Sequence, residues 1–268
     1  MAGSLVCVGL GMAMGAHITP ISRSYIEHAD VVFSLVSNGV VELWVKEMNS
    51  NSISLQQFYT KKESRNVSYK NMVNAMVEQV LAGKKVVGAF YGHPGVFAKV
   101  PHEAIKVVRE LGFESHMEPG ISAEDCLFAD LNIDPGKVGC QQFEASQFMF
   151  YQRVIDPSAY LILWQVAVAG DTTVSKDETG IRHRRVLLEL LQYHGYNLEH
   201  KVILYESPTL AINQPRIEFI PLGELLYAAL NQQTTLVIPP FEKLLRNDAV
   251  LSRLNAINSE EPKLRLIN

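Results

Sequence analysis

The sequence predicts an α/β protein whose sheets are largely parallel. Short apolar runs rich in β-branched residues alternate along the chain with stretches of helical periodicity, and strands separated by helices pair in parallel. Of the 268 residues, 47% are hydrophobic and 19% are charged, so the chain can bury a sizeable core and does not have the composition of a disordered protein.

The first half of the chain alternates strands and helices. Thr19-Pro20 has the form of an N-cap followed by proline in the first turn, and Ser68 is predicted to cap a helix that ends at Gly83. The predicted strands are 4–9, 31–36 and 84–92, and the predicted helices are 20–29, 39–48, 69–82 and 101–111.

The second half continues the alternation. Its predicted helices are 122–130, 181–194 and 222–231, and its predicted strands are 159–166, 201–206 and 234–239. A turn at Pro119-Gly120 divides the series, so we predict an N-terminal domain over 1–120 that carries a catalytic loop, a C-terminal domain over 121–240, and a tail over 241–268.

Composition also excludes several functions. A net charge of −4 gives no electrostatic basis for nucleic-acid binding, and no stretch approaches the ~20 apolar residues of a membrane span. The N-terminus has no basic residue before its apolar run, so it does not resemble a signal peptide. The cysteines lack Cys-x-x-Cys spacing, which indicates free thiols in a reducing compartment and no zinc site. We expect a soluble cytoplasmic protein without a metal.

A glycine-rich segment, Gly9 to Gly15, follows the first strand. A dinucleotide site needs G-x-G-x-x-G with a helix beginning at once, but here the third glycine is one residue late and the helix begins near Thr19. Asp30, the acidic candidate for a ribose hydroxyl, precedes its strand. The segment therefore predicts a backbone turn beneath a ligand other than NAD.

Two later turns also follow strands. Phe90–Phe97 lies at the carboxyl end of a buried strand, where α/β proteins bind ligands, although a single histidine such as His93 is more often structural. In Glu118–Asp125, Ser122 is predicted to cap the next helix with Asp125 completing a capping box. The same helix N-terminus could also receive a polar or anionic ligand.

The polar segment 50–68 carries a third kind of candidate. Tyr59, Arg65 and Tyr69 are each ordinary surface residues, but together they place two phenols and a fixed cation in one short stretch. A cation near a phenol favours the phenolate, which can act as a base or stabilise a developing oxyanion. Since so polar a loop does not belong in a core, we expect a partner surface to order it and the protein to be a homodimer.

Taken together, these segments resemble the tetrapyrrole-methylase superfamily, which binds S-adenosylmethionine in a cleft between two α/β domains. FYGHPGVF, PGISAEDCLFADLNIDPGKVGCQQFEAS, ILWQV, VIPP and the Tyr-x5-Arg-x3-Tyr spacing are similar to the methyltransferase domain of the borosin peptide backbone α-N-methyltransferases. The resemblance covers residues 4–240.

The resemblance implies site residues of two kinds. Catalytic roles fall on Tyr59, Arg65, Tyr69 and Tyr91. Contacts with S-adenosylmethionine fall on Tyr91, His93, Val96, Phe97, Ser122, Ala123, Gln165, Ser207, Thr234 and Thr235. An aromatic position shortly before the catalytic tyrosine is occupied here by Gln56.

The implied reaction suits these residue types. An amide nitrogen is a poor nucleophile, so methylation requires removal of its proton by a phenolate of Tyr59 or Tyr69. Arg65 and a tyrosine hydroxyl would stabilise the imidate oxygen, and Tyr91 would help to position the nitrogen. No metal is required.

Fused members of the family continue into a clasp and a core peptide, whereas this sequence ends at EEPKLRLIN. We therefore expect a separate precursor peptide as substrate, held in a heteromeric complex. A tetrapyrrole C-methyltransferase, or a protein that binds the cofactor without turnover, remains an alternative.

Overall fold

The computed structural model describes residues 2–36, 38–59, 65–172 and 178–260, apart from the side chains of Arg65 and Glu260. Within these ranges the strands form two five-stranded sheets. No helix of the described residues is both long and apolar enough to cross a membrane.

The first sheet is entirely parallel. Its strands follow the order β3-β2-β4-β1-β5. They are β1 (Ser4–Gly9), β2 (Val31–Leu35), β3 (Ser52–Ser54), β4 (Lys85–Phe90) and β5 (Glu114–Met117). The helices between them are α1 (Pro20–Glu27), α2 (Gly39–Met48), α3 (Arg65–Leu81) and α4 (Lys99–Glu110).

Helices cover both faces of this sheet. Along β1, Leu5 and Cys7 pack with α3 and α4, while Val6 and Val8 pack with α1 and α2. A strand that is buried on both faces has no polar side, which explains why it appears in the sequence as a continuous apolar run.

The second sheet is mixed. Its strands follow the order β6-β7-β10-β8-β9, with β6 parallel to β7 and the other neighbouring pairs antiparallel. They are β6 (Cys140–Glu144), β7 (Tyr160–Trp164), β8 (Lys201–Glu206), β9 (Arg216–Pro221) and β10 (Thr235–Ile238). The helices are α5 (Ala123–Leu131), α6 (Pro135–Val138), α7 (Ala145–Phe150), α8 (Ile181–Tyr193) and α9 (Asp248–Glu260).

The direction of β9 departs from the parallel pattern for a local reason. Residues 207–215 between β8 and β9 contain no helix, so the chain reverses and pairs antiparallel with the strand it has just left. The predicted helix 222–231 is only a short 3₁₀ segment, Leu222–Leu226. The predicted boundary at Pro119-Gly120 lies between β5 and α5 and stays a prediction.

Two of the three helix N-caps predicted from the sequence are present in the structure, and the third is not. Thr19 accepts a hydrogen bond from the Ser22 amide at 3.1 Å, and Ser122 with Asp125 forms the predicted capping box. The predicted cap at Ser68 is wrong, because α3 already begins at Arg65 and Ser68 is buried within the helix.

The polar segment 50–68 is more structured than its composition suggests. β3 pairs with β2, and the 3₁₀ helix Leu55–Phe58 buries Leu55 completely. Residues 52–58 thus pack on the first sheet and 65–68 lie in α3, while 60–64 lies outside the described residues. The expectation of a partner surface and a homodimer stays a prediction.

Candidate functional site

A cleft of about 490 Å³ opens at the carboxyl ends of strands from both sheets. Leu35 and Phe90 are the last residues of β2 and β4, and Gln165 and Ser207 come directly after β7 and β8. In open α/β sheets this edge is where ligands bind, and the volume falls within the ~300–1,000 Å³ of small-molecule sites.

Three turns meet at Gly92, which lines the cleft. Gly11 and Gly92 exchange backbone hydrogen bonds of 3.0 and 3.1 Å. A Cβ atom on Gly9 would lie 2.4 Å from the Gly92 carbonyl oxygen and 2.8 Å from the Gly120 Cα. A Cβ atom on Gly120 would lie 2.6 Å from the same oxygen, and Gly92 itself has a left-handed φ of 66°. We call Gly9, Gly92 and Gly120 the glycine floor.

Most of the residues predicted for the site line this one cleft. They are Tyr59, Tyr69, Tyr91, His93, Val96, Phe97, Ser122, Ala123, Gln165, Ser207 and Thr235, and Gln56 joins them. Arg65 begins α3, one helical turn before Tyr69, but its side chain lies outside the described residues.

Thr234 does not line the cleft. It is fully buried, and its hydroxyl donates to Glu206 at 2.6 Å, so the cofactor contact predicted for it stays a prediction. Although burial opposes ionisation of Glu206, hydrogen bonds from Thr234, Asn231 and Arg216 hold its pKa below the usual range. This network fixes the start of β10, whose Thr235 does reach the cleft.

The three predicted catalytic tyrosines differ in their surroundings. The rings of Tyr59 and Tyr69 meet edge to face with their centroids 6.2 Å apart. The Tyr91 hydroxyl is buried and has no hydrogen-bond partner among the described residues. Burial, with a smaller contribution from Cys126, raises the pKa of Tyr91 to about 12. At neutral pH Tyr91 is therefore a phenol that can donate a hydrogen bond into the cleft.

Two other predicted contacts have structural roles as well. The Gly95 amide donates to His93 Nδ1 at 2.9 Å, which fixes the turn after β4. The Ser122 hydroxyl donates to the Asp125 carboxylate at 2.7 Å, within the capping box. The structural interpretation of His93 and Ser122 is thus right, and both residues still line the cleft.

The backbone is strained at two points in the cleft wall. Phe97 has a φ of 51° and Gln165 a φ of 57°, values in the left-handed region that side chains rarely adopt. In the described parts of the chain the third such non-glycine residue is Asn132, which caps α5. Strain of this kind concentrates at ligand sites, where the surrounding structure holds it in place.

Sequence reasoning missed several residues of the cleft. Glu124 and Trp164 line it, as do Met12, Lys99, Tyr205, Gln232 and Gln233. Glu124 lies in PGISAED and Trp164 in ILWQV, but nothing in these patterns separates the two residues from cap or core residues. No cluster of three or more His, Cys, Asp or Glu side chains within the described ranges could hold a metal ion.

Comparison with known sequences identifies the family. The sequence model of the tetrapyrrole (corrin/porphyrin) methylases matches residues 4–225. The chain belongs to this methylase family. Solved structures agree: uroporphyrin-III-C-methyltransferase from Thermus thermophilus superposes with a TM-score of 0.62 at 18% identity, covering 90% of this chain and 93% of that one. Diphthine synthase gives 0.61 at 14% identity, covering 90% and 91%. These likenesses confirm the predicted fold class of the methylase.

Relatives with higher identity are fungal. A methyltransferase/ribosomally synthesized type I borosin cyclic peptide precursor of Coprinopsis marcescibilis is 37% identical to this methylase over 270 residues, covering 97% of this chain and 69% of the relative. The methyltransferase/omphalotin A precursor of Omphalotus olearius is 35% identical over 262 residues, covering 96% and 62%. The chain therefore spans about two thirds of the length of these relatives, whose names join methyltransferase and precursor in one protein.

Proposed function

We propose that this methylase uses S-adenosylmethionine to methylate backbone amide nitrogens of a peptide. The observation that carries the proposal is that Tyr59, Tyr69 and Tyr91 line the same cleft as the glycine turns, although they come from separate parts of the chain. Identity of 35–37% with borosin methyltransferase/precursor proteins supports a peptide substrate.

The size and lining of the cleft support this assignment of the cofactor. Its volume suits a small molecule, and the unpartnered Tyr91 hydroxyl offers a donor to it. The residues that would hold the cofactor are Tyr91, His93, Val96, Phe97, Ser122, Ala123, Gln165, Ser207 and Thr235. When bound, S-adenosylmethionine supplies an electrophilic methyl group on its sulfonium.

In the proposal the three tyrosines have different roles in the reaction. Because the pKa of Tyr91 is raised to about 12, Tyr91 is suited to donating a hydrogen bond and not to accepting a proton. Removal of the amide proton then falls to Tyr59 or Tyr69, whose rings contact each other. In the proposal Arg65, which the chain places one turn before Tyr69, stabilises the charge that develops on the peptide oxygen.

The arrangement of enzyme and substrate is part of the proposal. We propose a separate precursor peptide bound in a complex with the enzyme, whereas the names of the relatives place methyltransferase and precursor in one chain. Both arrangements present a peptide amide to the same cleft. The test therefore has to measure methylation of an added peptide and of the protein itself.

The purified protein should be incubated with S-adenosylmethionine and, in separate reactions, with candidate precursor peptides or with a tetrapyrrole, and the added compound and the protein analysed by tandem mass spectrometry. Mass gains of one CH₂ per event, localised to backbone amides of the added peptide, support the whole proposal. Gains only on the protein's own chain overturn the separate substrate and retain the reaction. Methylation of a tetrapyrrole in place of any peptide would replace the proposed activity, and cofactor binding without turnover on either would indicate a binding protein.

A further inference from the structure

One hydrogen-bonded chain joins two walls of the cleft through a residue outside it. Gln142, on β6, donates from Nε2 to Glu124 Oε1 at 2.6 Å and accepts at Oε1 from the Trp164 indole Nε1 at 2.9 Å. Glu124 belongs to the first turn of α5, and Trp164 ends β7. We call this the Glu124–Gln142–Trp164 chain.

The chemistry of the partners fixes the direction of both bonds. An ionised carboxylate can only accept a hydrogen bond, and an indole N–H can only donate one. A bridge between them must donate at one end and accept at the other, which a glutamine amide of this length does. Neither an acidic nor an apolar side chain at position 142 would satisfy both partners.

The Glu124–Gln142–Trp164 chain supports residues that are expected to contact the cofactor. Only 5% of the surface of Trp164 is exposed, and its ring packs against that of Phe97 with the centroids 5.7 Å apart. Gln165 follows Trp164 directly, so one strained residue of the cleft wall packs against this indole and the other is its neighbour in the chain. At the other end, Glu124 comes directly after Ser122 and Ala123 in the cleft.

We propose that Gln142 is a positioning residue for the cofactor cleft, holding the first turn of α5 against the indole that supports Phe97 and Gln165. The inference rests on the proposed cofactor. Strained backbone persists only where neighbouring contacts over-determine it, and the hydrogen-bonded indole is such a contact for Phe97.

Exchanging the carboxylate and the amide between positions 124 and 142 tests the Glu124–Gln142–Trp164 chain. Gln142→Glu places one carboxylate against another, and we expect it to weaken binding of S-adenosylhomocysteine about tenfold or more in calorimetry. Adding Glu124→Gln gives both hydrogen bonds a donor and an acceptor again, and the double variant has the same total charge as wild type. The double variant should therefore bind at least about fivefold more tightly than Gln142→Glu.

The neighbouring residue provides a matched control. Gln141 lies on the opposite face of β6, where its amide bonds to the backbone of Asp156 at 2.9 and 3.1 Å. Gln141→Glu makes the same chemical change on the same strand without altering the Glu124–Gln142–Trp164 chain. It should leave affinity for S-adenosylhomocysteine within about twofold of wild type, whatever it does to the unfolding temperature.

The outcomes separate this inference from the proposed function. Wild-type binding that Gln142→Glu leaves unchanged overturns the positioning role and retains the function, as does a double variant no tighter than Gln142→Glu. If Gln142→Glu does not fold, a double variant that folds and binds S-adenosylhomocysteine supports the inference in the same way. A double variant that does not bind, while Gln141→Glu does, overturns the inference. Absence of wild-type binding overturns both proposals.

Discussion

Replacing Gly9 by alanine should open the glycine floor and weaken cofactor binding. The added Cβ would lie 2.4 Å from the Gly92 carbonyl oxygen, 2.8 Å from the Gly120 Cα and 3.0 Å from Pro94 Cδ. These are backbone atoms and a rigid ring, so no flexible side chain can move aside. The turns themselves must separate.

The size of the effect follows from overpacking. Adding one methyl group to a closely packed site costs about 1–3 kcal/mol, and a cost that falls on the ligand-bound state corresponds to a loss of affinity of roughly 5- to 150-fold. The affected turns carry Tyr91, Ser122 and Ala123, all of which line the cleft. We therefore expect both a weaker complex with S-adenosylhomocysteine and a lower unfolding temperature.

Gly39→Ala is the matched control. Gly39 begins α2 and does not have a positive φ, and no atom of the described residues lies within 4 Å of the position of an added Cβ. The same substitution there should be neutral or slightly stabilising. Calorimetry and thermal unfolding of the two variants check the reasoning. It is refuted if Gly9→Ala binds and unfolds like wild type, or if Gly39→Ala loses affinity to the same extent.

Three further predictions concern catalysis, pH and assembly. Arg65→Ala should lower peptide methylation by about 10²–10³-fold while affinity for S-adenosylhomocysteine stays within about twofold, because its charge acts on the transition state. Of Tyr59→Phe and Tyr69→Phe, the variant that removes the base should match the arginine variant, and wild-type rates in all three would contradict the mechanism. Glu206 has a lowered pKa in the folded protein, so its stabilising contribution is present above its ordinary value of 4.5 and is lost as the pH falls through the lowered one. The difference in urea stability between wild type and Glu206→Gln should shrink accordingly in acid. Light scattering should show a homodimer, and a fully active monomer would exclude it.

Features with local causes could be predicted from the sequence. The buried parallel strands β1, β2 and β4 are continuous apolar runs because helices cover both faces of their sheet. The caps at Thr19 and Ser122 depend on hydrogen bonds that reach only three residues along the chain. The glycine turns were recognisable for the same reason, since the backbone freedom of glycine is a property of single positions.

Other features exist only once the chain has folded, because distant segments create them. β9 and its antiparallel direction depend on a reversal after β8, and β3 is short and half-buried, without a distinct apolar pattern. The meeting of Gly9, Gly92 and Gly120 depends on the order of strands in the sheet, which brings their turns so close that a Cβ on Gly9 or Gly120 would lie within 3 Å of another backbone. The role of Gln142 depends on which donor and which acceptor lie on either side of its amide. Hydrophobic periodicity records which face of an element is buried, but it does not record which turns the sheet order brings together.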